Sequence, residues 1–319
     1  MTVDLVCMGE PMLEFNEQPT GADGRRLYLE GYGGDTSNAA VAAARQGART
    51  AYVTAVGRDP AGERFMALWQ REGVEVSAVK RSDEHQTAVY FVTHGKAGHE
   101  FLYYRRDSAA AFVTPAHVPE AMIAGAKIFY ASGISQAISA SAADAVFHAI
   151  AIARGNGVRV AYDTNYRPRL WPPARAAAVI HAAIAQADIA LPGIDDALAL
   201  TGLTDADAIT DFYLRLGPKI VVLKMGATGA LLATADARVR IPPFPCTPVD
   251  ATGAGDTFCG AFLARTIAGD APEPAARYAA AAAALKTQGY GAVAPIPHPD
   301  AVLSAITHHS RAGGNPAAH

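Results

Sequence analysis

Cysteine is scarce in this chain of 319 residues: Cys7, Cys246 and Cys259 stand at spacings that suit neither a disulfide framework nor a zinc site. A reducing compartment, the cytoplasm, is therefore expected. Charge is sparse as well. With 18% charged residues and a formal net charge of -3, the chain has no basic footprint for nucleic acid and no polybasic segment for a membrane surface. No stretch approaches the roughly 20 uncharged apolar residues of a membrane span. The start, "MTVDLVCMGE", has an acid at position 4 and no long apolar run, which argues against a signal peptide. Two nucleotide signatures are also missing. There is no G-x-x-x-x-G-K-[ST], and "GYGGDTSN" has Thr36 where the dinucleotide fingerprint needs its last glycine. His85, His94, His99, His148 and His181 lack ligand spacing, and Trp69 and Trp171 read as packing anchors. A small molecule is the expected partner.

Half of the residues are apolar, and the length suits one large α/β domain with an appendage, or two ordinary domains. Strand-like runs such as "VDLVCMGE", "TAYVTAVG", "KIFYASG", "RVAYDTN", "IALPG" and "KIVVLKMG" alternate with helix-like ones such as "TSNAAVAAARQGA", "SAADAVFHAIAIARGNG", "ARAAAVIHAAIAQA" and "GDTFCGAFLARTIAG". Thr36 or Ser37 is the expected N-cap of the first of these helices. The alternation predicts an α/β fold, a doubly wound and mostly parallel sheet with ligands beyond the carboxyl ends of its strands. "PMLEFNEQP", "RRLYLEGYGG" and the hairpin signal at 87–107 break the rhythm and predict a small β-sheet lid. The expected division is a main domain over 1–10, 34–84 and 112–308, a lid over 11–33 and 85–111, and a loose tail over 309–319. Lid edges and an apolar lid face point to a homo-oligomer.

The stretch "VDATGAGDTFCGAF", residues 249–262, sets Gly253, Ala254, Gly255 and Asp256 at the start of a helix. Small residues let backbone N–H groups approach an anion, and the helix adds its positive end. That field is expected to keep Asp256 ionised, as a base that guides a hydroxyl proton during phosphoryl transfer. Alone, the same pattern also describes a helix cap. "GGDTSN", residues 33–38, is a second Gly-rich helix entry, whose Asn38 can donate to and accept from sugar hydroxyls. "KMGATG", residues 224–229, ends a strand on the side a nucleotide uses.

Together these features resemble the PfkB, or ribokinase-like, carbohydrate kinases, from "CMGEPMLEF" to "TQGYGAVAP". The resemblance implies ATP and Mg2+ as cofactors, with a monovalent cation left open. It implies Asp256 as general base, the amides of Gly253, Ala254 and Gly255 as anion hole, and Gly33, Gly34 and Asn38 on the sugar. Lys224, Gly226, Gly229, Gly193 and Asn165 fall on the nucleotide side. "YYRRDSAA", "SGISQAIS" and "DTNYRPRLWPP" look most like the members that phosphorylate 2-keto-3-deoxygluconate, which implies substrate contacts for Tyr90, Tyr103, Arg105, Ile134 and Arg167. Paired arginines suit the carboxylate of a sugar acid. A fructokinase, a ribokinase, a 5-dehydro-2-deoxygluconokinase and a non-catalytic sugar sensor are the alternatives. Two departures stand out: Gly193 and Asp196 replace the N-x-x-E that helps organise magnesium through water, and Ala280 replaces an Asn on the adenine side.

Overall fold

The computed structural model describes residues 2–95 and 98–312. Its strands are β1 (Leu5–Met8), β2 (Met12–Gln18), β3 (Leu27–Gly33), β4 (Thr50–Gly57), β5 (Val79–Ser82), β6 (Ala88–Gly95), β7 (Gly98–Tyr104), β8 (Ile128–Ser132), β9 (Arg159–Asp163), β10 (Ile189–Ala190), β11 (Ile220–Lys224), β12 (Ala230–Ala233) and β13 (Arg238–Ile241). They form a large sheet in the order β13-β12-β11-β10-β9-β8-β1-β4-β5 and a small one in the order β3-β2-β6-β7. From β11 to β5 the strands of the large sheet run parallel.

A parallel strand covered on both faces must be apolar at every position, and β1 obeys. Leu5 and Cys7 enter one core, Val6 and Met8 the other, and all four are buried. Helices Asp35–Arg45, Pro60–Arg71, Ala254–Ala268 and Pro272–Lys286 cover the first face. Helices Ala140–Gly155 and Pro173–Ile184 cover the second. The alanine run from Ala279 is an internal helix, with Ala279, Ala281 and Ala282 fully buried. Among the described residues no helix is long and apolar enough to cross a membrane.

The small sheet joins two hairpins through the parallel pair β2 and β6. Met12, Ala88, Tyr90 and Val92 make its own apolar cluster, with Tyr103 packed against it. The turn residues 96 and 97 lie outside the described residues.

Three local expectations need correction. The first helix begins at Asp35 behind Gly34, not at a Thr36 or Ser37 cap. Those hydroxyls have other partners: Thr36 pairs with the Tyr52 hydroxyl at 3.0 Å, and Ser37 accepts from the Trp69 indole at 2.9 Å. The large sheet does not end at β11, because β12 and β13 add an antiparallel edge. The chain expected to be loose from 309 continues the helix Pro299–Ala312; residues 313–319 lie outside the described ones.

The parallel order brings Glu10, Ser132, Asp163, Gly193 and Lys224 to the carboxyl edge of the large sheet, each at or just beyond the end of a strand. In an open α/β sheet that edge is where ligands bind.

Candidate active site

Asp256 lies in the first turn of the helix Ala254–Ala268, behind Gly253 at φ 76°. A side chain at Gly253 would meet Ala292, whose Cβ lies 2.9 Å from the position of an added Cβ, so only glycine fits this turn. The Ala254 N–H is taken by the Ala251 carbonyl at 3.1 Å. It therefore does not serve the anion hole as expected, and the amides of Gly253, Gly255 and Asp256 remain, none hydrogen-bonded among the described residues. Asp256 is held from the side: its Oδ2 accepts from the Asn38 amide at 2.8 Å. Asn38 is buried, and its Oδ1 has no protein partner. An acceptor in that state suits a ligand hydroxyl.

The expectation that the helix start keeps Asp256 readily ionised is overturned. Burial and repulsion from Asp35 push its pKa up to about 7, with Asp163 adding to the push. The hydrogen bond from Asn38 and the Lys224 charge oppose the shift without cancelling it. Desolvation next to like charges outweighs a helix terminus worth at most about 2 kcal/mol. A base poised near neutral pH is matched to taking a hydroxyl proton.

Asp35 was not singled out from the sequence. It is buried at the first helix start, and its Oδ2 accepts from Ser132 Oγ and, at 3.1 Å, from the Asn165 amide. Its Oδ1 is buried without a partner among the described residues, and burial raises its pKa. Asn165, expected on the nucleotide side, thus binds Asp35 and sits at φ 30°, a backbone conformation rare outside glycine.

On the small sheet, Tyr90 donates to the buried Glu14 and stacks on Tyr103 with centroids 5.7 Å apart. Gly33 leaves room for that hydroxyl, since an added Cβ would lie 2.7 Å from it. Arg105 is not free as expected. Its guanidinium is paired with the fully buried Glu10, which also accepts from Ser108 Oγ at 2.6 Å. Its buried Nε has no partner. Arg167 is exposed, donates to the Tyr166 carbonyl at 2.9 Å, and its charge reaches both Asp35 and Asp196. Ile134 is buried in the short helix after β8.

Lys224 also differs from expectation. Its ammonium turns inward to Asp163 Oδ2 at 2.6 Å and to Cys259 Sγ at 3.3 Å. Burial works against its charge, but Asp163 overrides that and raises the pKa. An added Cβ on Gly255 would lie 3.8 Å from this ammonium, so the charge stands close to the Gly255 backbone. Gly226 and Gly229 flank the short turn after β11 at φ 56° and 94°. Gly193 opens the helix Ile194–Thr201, and its N–H donates to Thr164 Oγ1 at 3.3 Å. Thr164 in turn donates to Asp196 at 3.0 Å.

Among the described residues no group of three or more His, Cys, Asp or Glu side chains could hold a metal ion. Asp196 is partly buried, accepts from Thr164, and burial and the Asp163 charge raise its pKa.

The model of the "pfkB family carbohydrate kinase" matches residues 4–299. The chain belongs to the PfkB family of carbohydrate kinases. Within the family it is 32% identical over 305 residues to a 2-dehydro-3-deoxygluconokinase of Thermoproteus tenax, covering 93% of this chain and 92% of the relative. It is 33% identical to a 2-dehydro-3-deoxygalactonokinase of Haloferax volcanii, covering 93% and 94%. Among solved structures, a fructokinase with bound ATP from Xylella fastidiosa superposes with a TM-score of 0.89 at 27% identity, covering 97% of this chain and all of that one. As a PfkB member the chain is a carbohydrate kinase with a ribokinase-like fold.

Proposed function

We propose that this kinase transfers the γ-phosphoryl group of ATP to the terminal primary hydroxyl of a sugar acid, 2-keto-3-deoxygluconate, giving the 6-phosphate. The observation that carries the reading is the Asn38–Asp256 pair beside an open helix start. Asp256 takes the hydroxyl proton as that oxygen attacks phosphorus. The Gly253 and Gly255 amides, with the Lys224 ammonium close to Gly255, meet the charge on the transferring group. Magnesium, carried by the phosphates, neutralises their charge when bound. Closure of the small sheet over the sugar excludes water as a competing acceptor. The sugar-acid assignment draws on the relatives' names, the exposed Arg167 and the unpartnered Nε of Arg105. A fructokinase is the second reading, supported by the similarity to the Xylella protein.

The test is ADP release with ATP, magnesium and a panel of sugar acids and neutral sugars. Asp256→Asn should lower kcat by about 10²- to 10⁴-fold while sugar binding, read by calorimetry, is retained. Arg167→Ala should raise KM for the sugar acid by roughly 10- to 100-fold, the worth of a charge-assisted hydrogen bond. Turnover confined to neutral hexoses would move the assignment to the fructokinase.

A further inference from the structure

Lys286 is a fully buried lysine that takes no part in the chemistry just described. It ends the helix Pro272–Lys286, where the last carbonyls favour a cation. Its ammonium donates to the main-chain carbonyl of Asp250 at 2.9 Å. Burial pushes its pKa below the ordinary lysine value, and the charges of Asp250, Asp256 and Glu14 pull the other way. Lysine is rarely buried without a carboxylate partner; here the acceptor is a backbone oxygen.

That oxygen belongs to the residue from which the anion-hole turn departs. All four polar atoms of Asp250 are engaged. Its N–H donates to the Thr287 carbonyl at 2.9 Å, and its two carboxylate oxygens accept from the Thr252 and Gly291 amides, each at 2.8 Å. With Lys286 on its carbonyl, the segment 286–291 grips the turn from behind, three residues before Gly253. A half-buried carbonyl at this place is satisfied by a donor or a cation, and a dissolved monovalent cation is one way to supply it. In this chain the partner is covalently attached: the Lys286 ammonium stands at the Asp250 carbonyl where such an ion would otherwise bind.

We propose that Lys286 is a built-in substitute for a monovalent cation, a positioning residue that fixes the Asp250–Gly253 turn so that phosphoryl transfer proceeds without added potassium or ammonium. The inference rests on the kinase reading for its effect on rate.

The experiment measures turnover and thermal unfolding of the wild type, Lys286→Ala and Lys286→Met with tetramethylammonium as the sole monovalent cation, then with potassium or ammonium chloride added. Wild-type kcat should change by less than about twofold across the salts. Lys286→Ala should lose about 10²-fold in kcat, comparable with removing one oxyanion donor, with both KM values nearly unchanged. It should regain activity, and rise in Tm, with potassium or ammonium; Lys286→Met, which fills the space without charge, should regain neither. A wild type that needs added potassium overturns the proposal, and that measurement stands even if the variants fail to fold. So does a folded Lys286→Ala that gains neither rate nor Tm from any small cation, or a Lys286→Met with wild-type kcat. If the wild type turns over no sugar at all, the kinase reading fails, and the cation-dependent Tm of Lys286→Ala still decides the role of Lys286.

Discussion

The Asn38 amide and the Asp256 carboxylate meet at 2.8 Å although 218 positions separate them in the chain. The contact ties the start of the helix Ala254–Ala268 to the first turn of the helix Asp35–Arg45. It also lowers the Asp256 pKa against the upward push of burial and of Asp35 and Asp163.

A pH dependence follows from that balance. Asp256 acts only when ionised, so kcat/KM should fall as pH drops through about 7, by about tenfold per pH unit well below it. Asn38→Ala removes a contribution that lowers the pKa, so its inflection should move to higher pH. A pH-rate profile that stays flat from pH 5 to 8 excludes Asp256 as the titrating base. Stability gives an independent check. The folded pKa of Asp256 is raised from 3.8 to about 7, so between those values the folded state binds more protons than the unfolded one. Stability from this group is full below the lower value and lost as pH rises through the window. The Tm of Asp256→Asn relative to wild type should thus be higher at pH 8 than at pH 3.5.

The pairing of Arg105 with Glu10 sets a different test. Glu10 is fully buried and its side-chain partners are Arg105 and Ser108. Removing one member of a buried pair leaves the other charge uncompensated, which costs about 3–5 kcal/mol. Glu10→Ala should lower the denaturant midpoint accordingly and raise KM for the sugar acid, because Arg105 loses its support. Glu10→Gln keeps the Ser108 partner and should cost less. Equal stability of wild type and Glu10→Ala in urea would remove Glu10 from this role.

How legible these features were in the sequence depended on the range of the interaction. "GAGD" and "GGDTSN" announced themselves because a tight turn into a helix selects glycine locally, and the turn, the residue type and the chemistry coincide within a few positions. Arg105 was legible as a lid arginine, but its partner Glu10 lies 95 residues away. The ion pair of Lys224 with Asp163 spans 61 residues. A lone carboxylate at the end of a strand carries no spacing signal, so Glu10 and Asp163 emerge only when the parallel sheet sets the strand ends side by side, and Asp35 only when its helix start meets Ser132 and Asn165. The edge strands β12 and β13 were missed for another reason: β13, "RVRI", alternates exposed arginines with apolar residues, so it lacks the continuous apolar run that marked β1, and β12 beside it has four residues.

The small sheet presents an apolar surface around Phe91, with Leu102 54% and Tyr104 59% exposed and Tyr28 edge-on to Phe91 at 5.7 Å. We propose that a second copy of the chain covers it. Leu102→Asp should then halve the particle mass measured by light scattering, with little change in the monomer's Tm. A wild type that scatters as a monomer at all concentrations removes the proposal.

The last test concerns what brings Asn38 and Asp256 together. Helices Asp35–Arg45 and Ala254–Ala268 approach through small residues, and at Gly260 an added Cβ would lie 2.3 Å from the Ala39 carbonyl and 2.7 Å from the Ala42 Cβ. Backbone cannot yield as a flexible side chain does, so Gly260→Ala must push the helices apart. Overpacking of this kind costs typically about 1–3 kcal/mol. Because Asn38 and Asp256 stand on the two separated helices, their hydrogen bond should lengthen too. The expected result is a lowered Tm together with a kcat loss and an upward move of the pH inflection, as in Asn38→Ala. A variant that loses stability but keeps the wild-type pH profile would show that the pair is held by the helix starts alone.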